Sequence, residues 1–379
     1  MAENKIWLST PHMGGNEQKY VQEAFDSNWV APMGPNLAIF EQNLENYLLS
    51  GYVAVLNSGT AAIHLGLILL GIKSGDEVLC QSMTFSASAN PILYLGATPL
   101  FIDSEPETWN LCPILLETAI LDRISKGLKP KAIIAVDLYG TPYKIEEIRR
   151  IANKYSIPIL EDSAEALGSS YKGQKCGTFG DISVLSFNGS KVVTTSGGGA
   201  IVTNSKALKE RAIFLATQAR EDAPHYQHSE IGYNYRMSNI CAAIGRGQME
   251  VLDAHVFLRR KMHEFYVDLF SAIEGVTVFT VPDESFFSNY WLCAVLIDPS
   301  KTNAITREML RLVLEKENIE SRPLWKPMHL QPIFSDYPYY GNGVSETLFS
   351  NGLCLPSGSN LTKQDRNRIK SIVLDLFSK

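Results

Sequence analysis

The sequence predicts an α/β fold, with a large domain on a mostly parallel sheet covered by helices and a smaller C-terminal α+β domain. Three observations carry this. Short apolar runs closed by polar or turn residues alternate with helical stretches through the first half of the chain, the rhythm of a parallel sheet with helices on its faces. Beyond about residue 240 the pattern changes to a long helical run followed by a mixed tail. The chain has 379 residues, 45% hydrophobic and 20% charged, enough for one large or two ordinary domains around a sizeable core.

In order, "YVAVLNSG" (52–59) reads as a strand and "TAAIHLGLILLGI" (60–72) as the helix after it. "DEVLC" (76–80), "TPLFID" (98–103), "KAIIAVDLYG" (131–140) and "IPILED" (157–162) read as further strands, with amphipathic "YKIEEIRRIANKYS" (143–156) as a helix between the last two. The run 246–273 reads as one connecting helix into the smaller domain, where "WLCAVLID" (291–298) is strand-like and 306–318 and 362–377 are helical. These boundaries predict a large domain over 15–250 and a small one over 251–379 together with residues 1–14.

The net charge of −6, with no long block of either sign, argues against a nucleic-acid or polyanion surface and for a small-molecule partner. Six scattered cysteines lack metal-like spacing and read as core thiols in a reducing compartment; no metal site is expected. Neither a signal peptide nor a membrane-spanning run of roughly 20 apolar residues is visible, so a cytoplasmic protein is expected.

In open α/β sheets ligands lie at the carboxyl ends of the strands. Four such ends carry candidate chemistry. At Asn57-Ser58-Gly59-Thr60-Ala61 a strand turns into a helix whose free amides suit a phosphate, although an ordinary helix cap has the same sequence. Asp162 closes a buried strand and needs a cationic partner, either an arginine or a ring nitrogen. Phe85 follows a strand end among small residues that leave room beside its ring, or is simply core. In "SFNGSKVVTTSGGG", Ser186 offers a hydroxyl and Lys191 an amine, with glycines that permit close packing around whatever the amine holds. A partly desolvated lysine can attack a carbonyl and form an imine, whereas a lysine in a surface hairpin does nothing. Together the four ends match the phosphate, flat ring, pyridine nitrogen and aldehyde of pyridoxal phosphate.

The runs "NSGTAAIHLGL", "MTFSASAN", "EDSAEALGS", "GTFGDISVLSFNGSKVVTTSGGG" and "GYNYRMSN" resemble, in order and spacing over nearly the whole chain, the DegT/DnrJ/EryC1/StrS sugar aminotransferases. The resemblance implies the fold of the aspartate aminotransferase superfamily (fold type I), a homodimer with shared active sites, and nucleotide-linked keto sugars as substrates with glutamate as donor. It makes Lys191 the lysine bound to the cofactor and Asp162 the partner of the pyridine nitrogen. Thr60, Ala61 and Ser186 would hold the phosphate, Phe85 would stack on the ring, and Asn234 would reach the phosphate of the other subunit. Glu165 stands near the cofactor oxygen where many members carry Gln or His, and a carboxylate there would repel a phenolate unless protonated or turned away.

The segments "HYQHSEIGYNYRMSN" and "SRPLWKPMHLQP" resemble the subgroup that aminates C4 of UDP-linked 4-keto-6-deoxy-N-acetylglucosamine. On the substrate side this implies Trp29, His225, Arg322, Trp325, Lys326 and His329, with Arg322 and Lys326 suited to a pyrophosphate and Trp325 to a base or sugar face. A sugar dehydratase of the same family typically has histidine in place of Lys191. A desulfurase or aldolase on this fold would need other site machinery, and a non-catalytic binding protein would have lost Lys191 or Asp162; both are present.

Overall fold

The computed structural model describes residues 4–378. Its centre is an eight-stranded sheet, in spatial order Tyr52–Leu56, Gly199–Thr203, Ile182–Ser186, Ile159–Asp162, Ala132–Val136, Glu77–Gln81, Thr98–Ile102 and Tyr339–Tyr340. Gly199–Thr203 runs antiparallel to both its neighbours, and all other pairings are parallel. The inner strands are buried on both faces, which is why Ala132–Val136 is a continuous aliphatic run rather than an alternating one.

A four-stranded antiparallel sheet follows, in the order Val276–Val278, Cys293–Ile297, Gly352–Leu355 and Arg322–Pro323. Ile6 bridges to Ile319 beside it and joins its core, so the N-terminal segment packs with the C-terminal region. Two later pieces of chain return to the large region: Tyr339–Tyr340 extends the central sheet, and Phe286–Phe287 pairs with Ser170–Tyr171.

The single connecting helix expected over 246–273 is two helices, Asn239–Met249 and Leu252–Phe270. Val251 leaves helical geometry at φ −116 and ψ 4. Glu250 is held at the corner by Asn16 Nδ2 and Tyr20 Oη, at 2.6 and 2.5 Å. Tertiary hydrogen bonds bend a stretch whose apolar periodicity alone runs on unbroken. Among the described residues no helix is long and apolar enough to cross a membrane.

Candidate active site

At the carboxyl edge of the central sheet the chain encloses a cavity of about 410 Å³, lined by Thr60, Phe85, Asp162, Glu165, Ser186 and Lys191. Each is delivered by a strand end or by the loop or helix start that follows one.

Lys191 lies in a loop closed on itself between two strands: Thr195 N–H donates to Phe187 O, and Phe187 N–H donates to Gly198 O. Val192 and Val193 are buried in the core beside it, each contributing roughly 1.5–3 kcal/mol of anchorage. The Lys191 side chain enters the cavity instead, with Nζ 3.3 Å from Glu165 Oε1 and 3.9 Å from the centre of the Trp291 ring. Of the glycines, Gly197 and Gly198 line the cavity. Gly199 does something else: a Cβ there would lie 2.5 Å from the backbone of Ser58 and Gly59. The expectation that all three make room around the amine is corrected at this position, where glycine lets the strand press against the start of helix Gly59–Leu69.

That helix is capped by Ser58, whose Oγ accepts from Ala61 N–H at 3.1 Å, an arrangement worth about 1 kcal/mol. The amides of Gly59 and Thr60, with no partner within the helix, are left at its positive end beside Ser186. Ala61 does not line the cavity, because its N–H is used by the cap and its side chain is buried.

Asp162 accepts from Ser88 Oγ at 2.6 Å and from Ala164 N–H at 3.2 Å. Burial holds its carboxyl above the ordinary range despite these donors and the nearby lysine, the condition of an acid that lacks a full cationic partner. Glu165 Oε2 takes the N–H of Tyr139 at 2.7 Å, while Oε1 faces Lys191. Burial pushes this carboxyl up to about 7, against the pull of Lys191 and the Tyr139 amide and with a further push from Asp162.

Phe85 is 57% exposed, with its ring 5.6 Å from that of Trp325. Trp325 and Arg322 line the cavity, but Arg322 is already paired with Glu320 Oε1 at 2.8 Å. The other substrate-side residues do not line it within one chain. His329 is stacked on Tyr339 at 3.6 Å and bonded through Nδ1 to Ser82 Oγ at 2.7 Å, so it serves packing; burial lowers its pKa. Lys326 lies outside the cavity wall, His225 bonds to Gln227 in an exposed loop, and Trp29 gives its carbonyl to Asn239. Asn234 lines a separate, adjoining hollow with Asn57 and Arg236; Gly197 belongs to both hollows.

Three residues not singled out in the sequence complete the site. Tyr139, in the left-handed region at φ 53, presents its amide to Glu165 and accepts from Trp325 N–H at 2.9 Å. Its place in "DLYG", at a strand end before a glycine, was a usable signal. Ser88, one turn after Phe85, was visible only as one of several small residues, and Trp291 gave no signal at all.

Cys241 is half-buried and the other five cysteines are buried. Asp137, Glu161 and Cys176 lie close enough together to hold a metal ion. Ser163 Oγ joins the two carboxylates, and Glu161 also takes the amides of Gly177, Phe179 and Gly180, which accounts for the cluster as structural bonding.

The profile of the DegT/DnrJ/EryC1/StrS aminotransferase family matches residues 11–374. EpsN of Bacillus subtilis (strain 168), named for a pyridoxal phosphate-dependent aminotransferase, is 49% identical over 98% of this chain and 96% of its own length. GDP-perosamine synthase of Escherichia coli O157:H7 is 38% identical over 97% of both chains. The crystal structure of a DegT DnrJ EryC1 StrS aminotransferase from Brucella abortus superposes with a TM-score of 0.89 at 29% identity, covering 96% of each chain. A buried carboxylate lacking its cation, an amine across the cavity and free amides at a helix start fit pyridoxal phosphate. The chain therefore belongs to the DegT/DnrJ/EryC1/StrS aminotransferase family and is a pyridoxal-phosphate-dependent transaminase of fold type I.

Proposed function

We propose that this enzyme moves the amino group of glutamate to C4 of a nucleotide-linked 4-keto-6-deoxy sugar, with UDP-4-keto-6-deoxy-N-acetylglucosamine as the preferred acceptor. The product would feed surface polysaccharide or glycan assembly. The observation that carries the transaminase half of this reading is the convergence of Lys191, Asp162 and the start of helix Gly59–Leu69 on one cavity.

Pyridoxal phosphate supplies an aldehyde that takes up amines and a ring that accepts the electron pair left when a neighbouring carbon loses its proton. The chain does the rest. Thr60 and Ser186, with the free amides at the helix start, hold the phosphate. Asp162 keeps a proton on the ring nitrogen, and that proton gives the buried carboxylate the cation it otherwise lacks. Phe85 would cover one ring face. Lys191 Nζ takes the proton from the donor carbon and returns it one position away, then works in the opposite order for the keto sugar. Glu165 would lie beside the ring oxygen, and its raised pKa makes the neutral acid that this position needs accessible.

Arg322 and Trp325 mark the sugar-nucleotide side. In this reading the active site is shared in a homodimer, with Asn234 reaching the phosphate of the other subunit; its place in the adjoining hollow, outside its own chain's cavity, supports that. A GDP-linked keto sugar is the second reading, favoured by the likeness to GDP-perosamine synthase. The deciding experiment incubates the purified enzyme with glutamate and a panel of UDP-, GDP- and dTDP-linked 4-keto sugars, identifying products by mass and NMR. Amination of the UDP-linked acetamido sugar with the highest kcat/KM is expected. Preference for a GDP-linked sugar selects the second reading, and no amination of any member overturns both.

A further inference from the structure

Arg259, on helix Leu252–Phe270, is only 1% exposed and has an unpartnered Nε. Burial lowers its pKa to about 10, and no carboxylate counters that shift. A buried guanidinium without an acid partner is costly, and here its bonds go to two carbonyls and a hydroxyl. Nη1 donates to Trp291 O at 2.8 Å and to Ser357 O at 3.1 Å, and Nη2 donates to Ser9 Oγ at 3.0 Å. Two of these acceptors lead to the same place. Trp291 Nε1–H donates to Ser190 O at 2.6 Å, and Ser9 Oγ–H donates to Ser190 O at 2.8 Å. Ser190 immediately precedes Lys191, and the Trp291 ring lies 3.9 Å from the Lys191 amine.

We propose that Arg259, which does not line the cavity, is a positioning residue for Lys191: through Ser9 and Trp291 it clamps the Ser190 carbonyl and so aims the amine. A planar guanidinium can hold three acceptors in fixed directions, which one ammonium cannot. The proposal rests on Lys191 being the cofactor lysine but not on which sugar is aminated.

The test uses the full-length chain freed of cofactor and recharged with pyridoxal phosphate. Capture of the aldehyde by the Lys191 amine forms one carbon–nitrogen double bond and releases one water, and the rate is followed by absorbance. Borohydride reduction and peptide mapping verify the lysine. Arg259→Lys and Trp291→Phe, the latter keeping a ring but removing the indole N–H, are each expected to slow capture about tenfold, and together no more than the slower alone, because Trp291 lies on one of the two routes that loss of the guanidinium already cuts. The affinity for pyridoxamine phosphate, which has no aldehyde and reports only the cradle, should stay within about twofold. Multiplicative slowing, capture within about twofold of wild type, or a parallel loss of pyridoxamine phosphate affinity overturns the proposal. Should Arg259→Lys fail to fold, Ser9→Ala and Trp291→Phe carry the test, and unchanged capture in both overturns it equally. Wild-type protein that captures no aldehyde on Lys191 would instead refute the cofactor lysine itself.

Discussion

The cavity has two halves built on different supports. Asp162 and Ser186 stand at the ends of inner strands, paired on both sides, and helix Gly59–Leu69 starts after edge strand Tyr52–Leu56, whose last residue is held by Gly199 on one side and by a bridge to Arg236 on the other. The sugar-side candidates lie at the margin of the fold or on connecting segments: Arg322 on a two-residue edge strand, Trp325 on the stretch after it, His225 in an exposed loop and Trp29 just past a turn. Chemistry that needs fixed geometry is placed on the sheet, and recognition that differs between relatives is placed on loops. Substitutions should therefore act on turnover in the first half and on substrate affinity in the second.

The largest effect belongs to Lys191→Ala, which removes both the covalent anchor and the proton carrier. Loss of turnover by at least about 10⁴-fold is expected, with no cofactor fixed by borohydride. Fixation to another lysine would falsify the assignment. Asp162→Ala comes next. It should retain some cofactor and still lose most turnover, about 10²–10³-fold in the half-reaction with glutamate, because nothing then keeps the ring nitrogen protonated. An unchanged half-reaction rate would remove that role.

Asn234 belongs to neither half of its own chain's cavity, and that makes it the sharpest probe of whether the site is shared. Inactive Lys191→Ala and Asn234→Ala chains, unfolded and refolded together, should regain activity, since one site of each mixed dimer collects both lesions and the other none. Verified mixed dimers that stay inactive exclude a shared site.

The sheet-borne half was also the half legible in the sequence. Apolar runs closed by Asn57, Asp162 and Ser186 announce both a strand and what stands at its end, because side chains at a strand terminus have little freedom of placement. At Ala61 the sequence could not say which amides are free, because a helix start offers several and only the cap geometry, which here takes the Ala61 N–H, decides. His329 and Lys326 share a segment with Trp325, yet the chain turns after it into Met328–Leu330 and carries them off the cavity of their own chain. Trp291 and Arg259 could not be found by local pattern at all: what matters is a set of bonds to Ser190 and Ser9 from residues distant in sequence.

Glu165 sits between the halves and yields a smaller, pH-dependent effect. Its pKa is raised by burial from 4.5 to about 7, so the folded protein binds this proton more tightly than the unfolded chain does. The associated stability is fully present below pH 4.5 and is lost as pH rises through about 7, up to roughly 3 kcal/mol in the cofactor-free protein. Glu165→Gln cannot ionise and should lack that loss, so its Tm should gain on wild type across this window. Parallel Tm profiles would show that the carboxyl does not titrate as its surroundings imply.

The smallest effects separate Arg322 from Lys326, four residues apart and alike in charge. Arg322 lines the cavity, with its side chain 68% exposed and only one edge of its guanidinium committed to Glu320, so it can still turn donors toward a pyrophosphate. Lys326 does not line the cavity, and its carbonyl is occupied by Gln331 Nε2 at 3.2 Å. Arg322→Ala should raise the KM for the nucleotide sugar about five- to tenfold with kcat nearly unchanged, the mark of binding lost equally from ground and transition states. Lys326→Ala should leave both constants within about twofold, because a charge outside the cavity acts through water and salt. The opposite ranking in steady-state kinetics would mean that the loop carrying Trp325 rearranges on binding. Lys326 would then be the pyrophosphate ligand, and the loop-borne half would be assembled by substrate rather than by the fold.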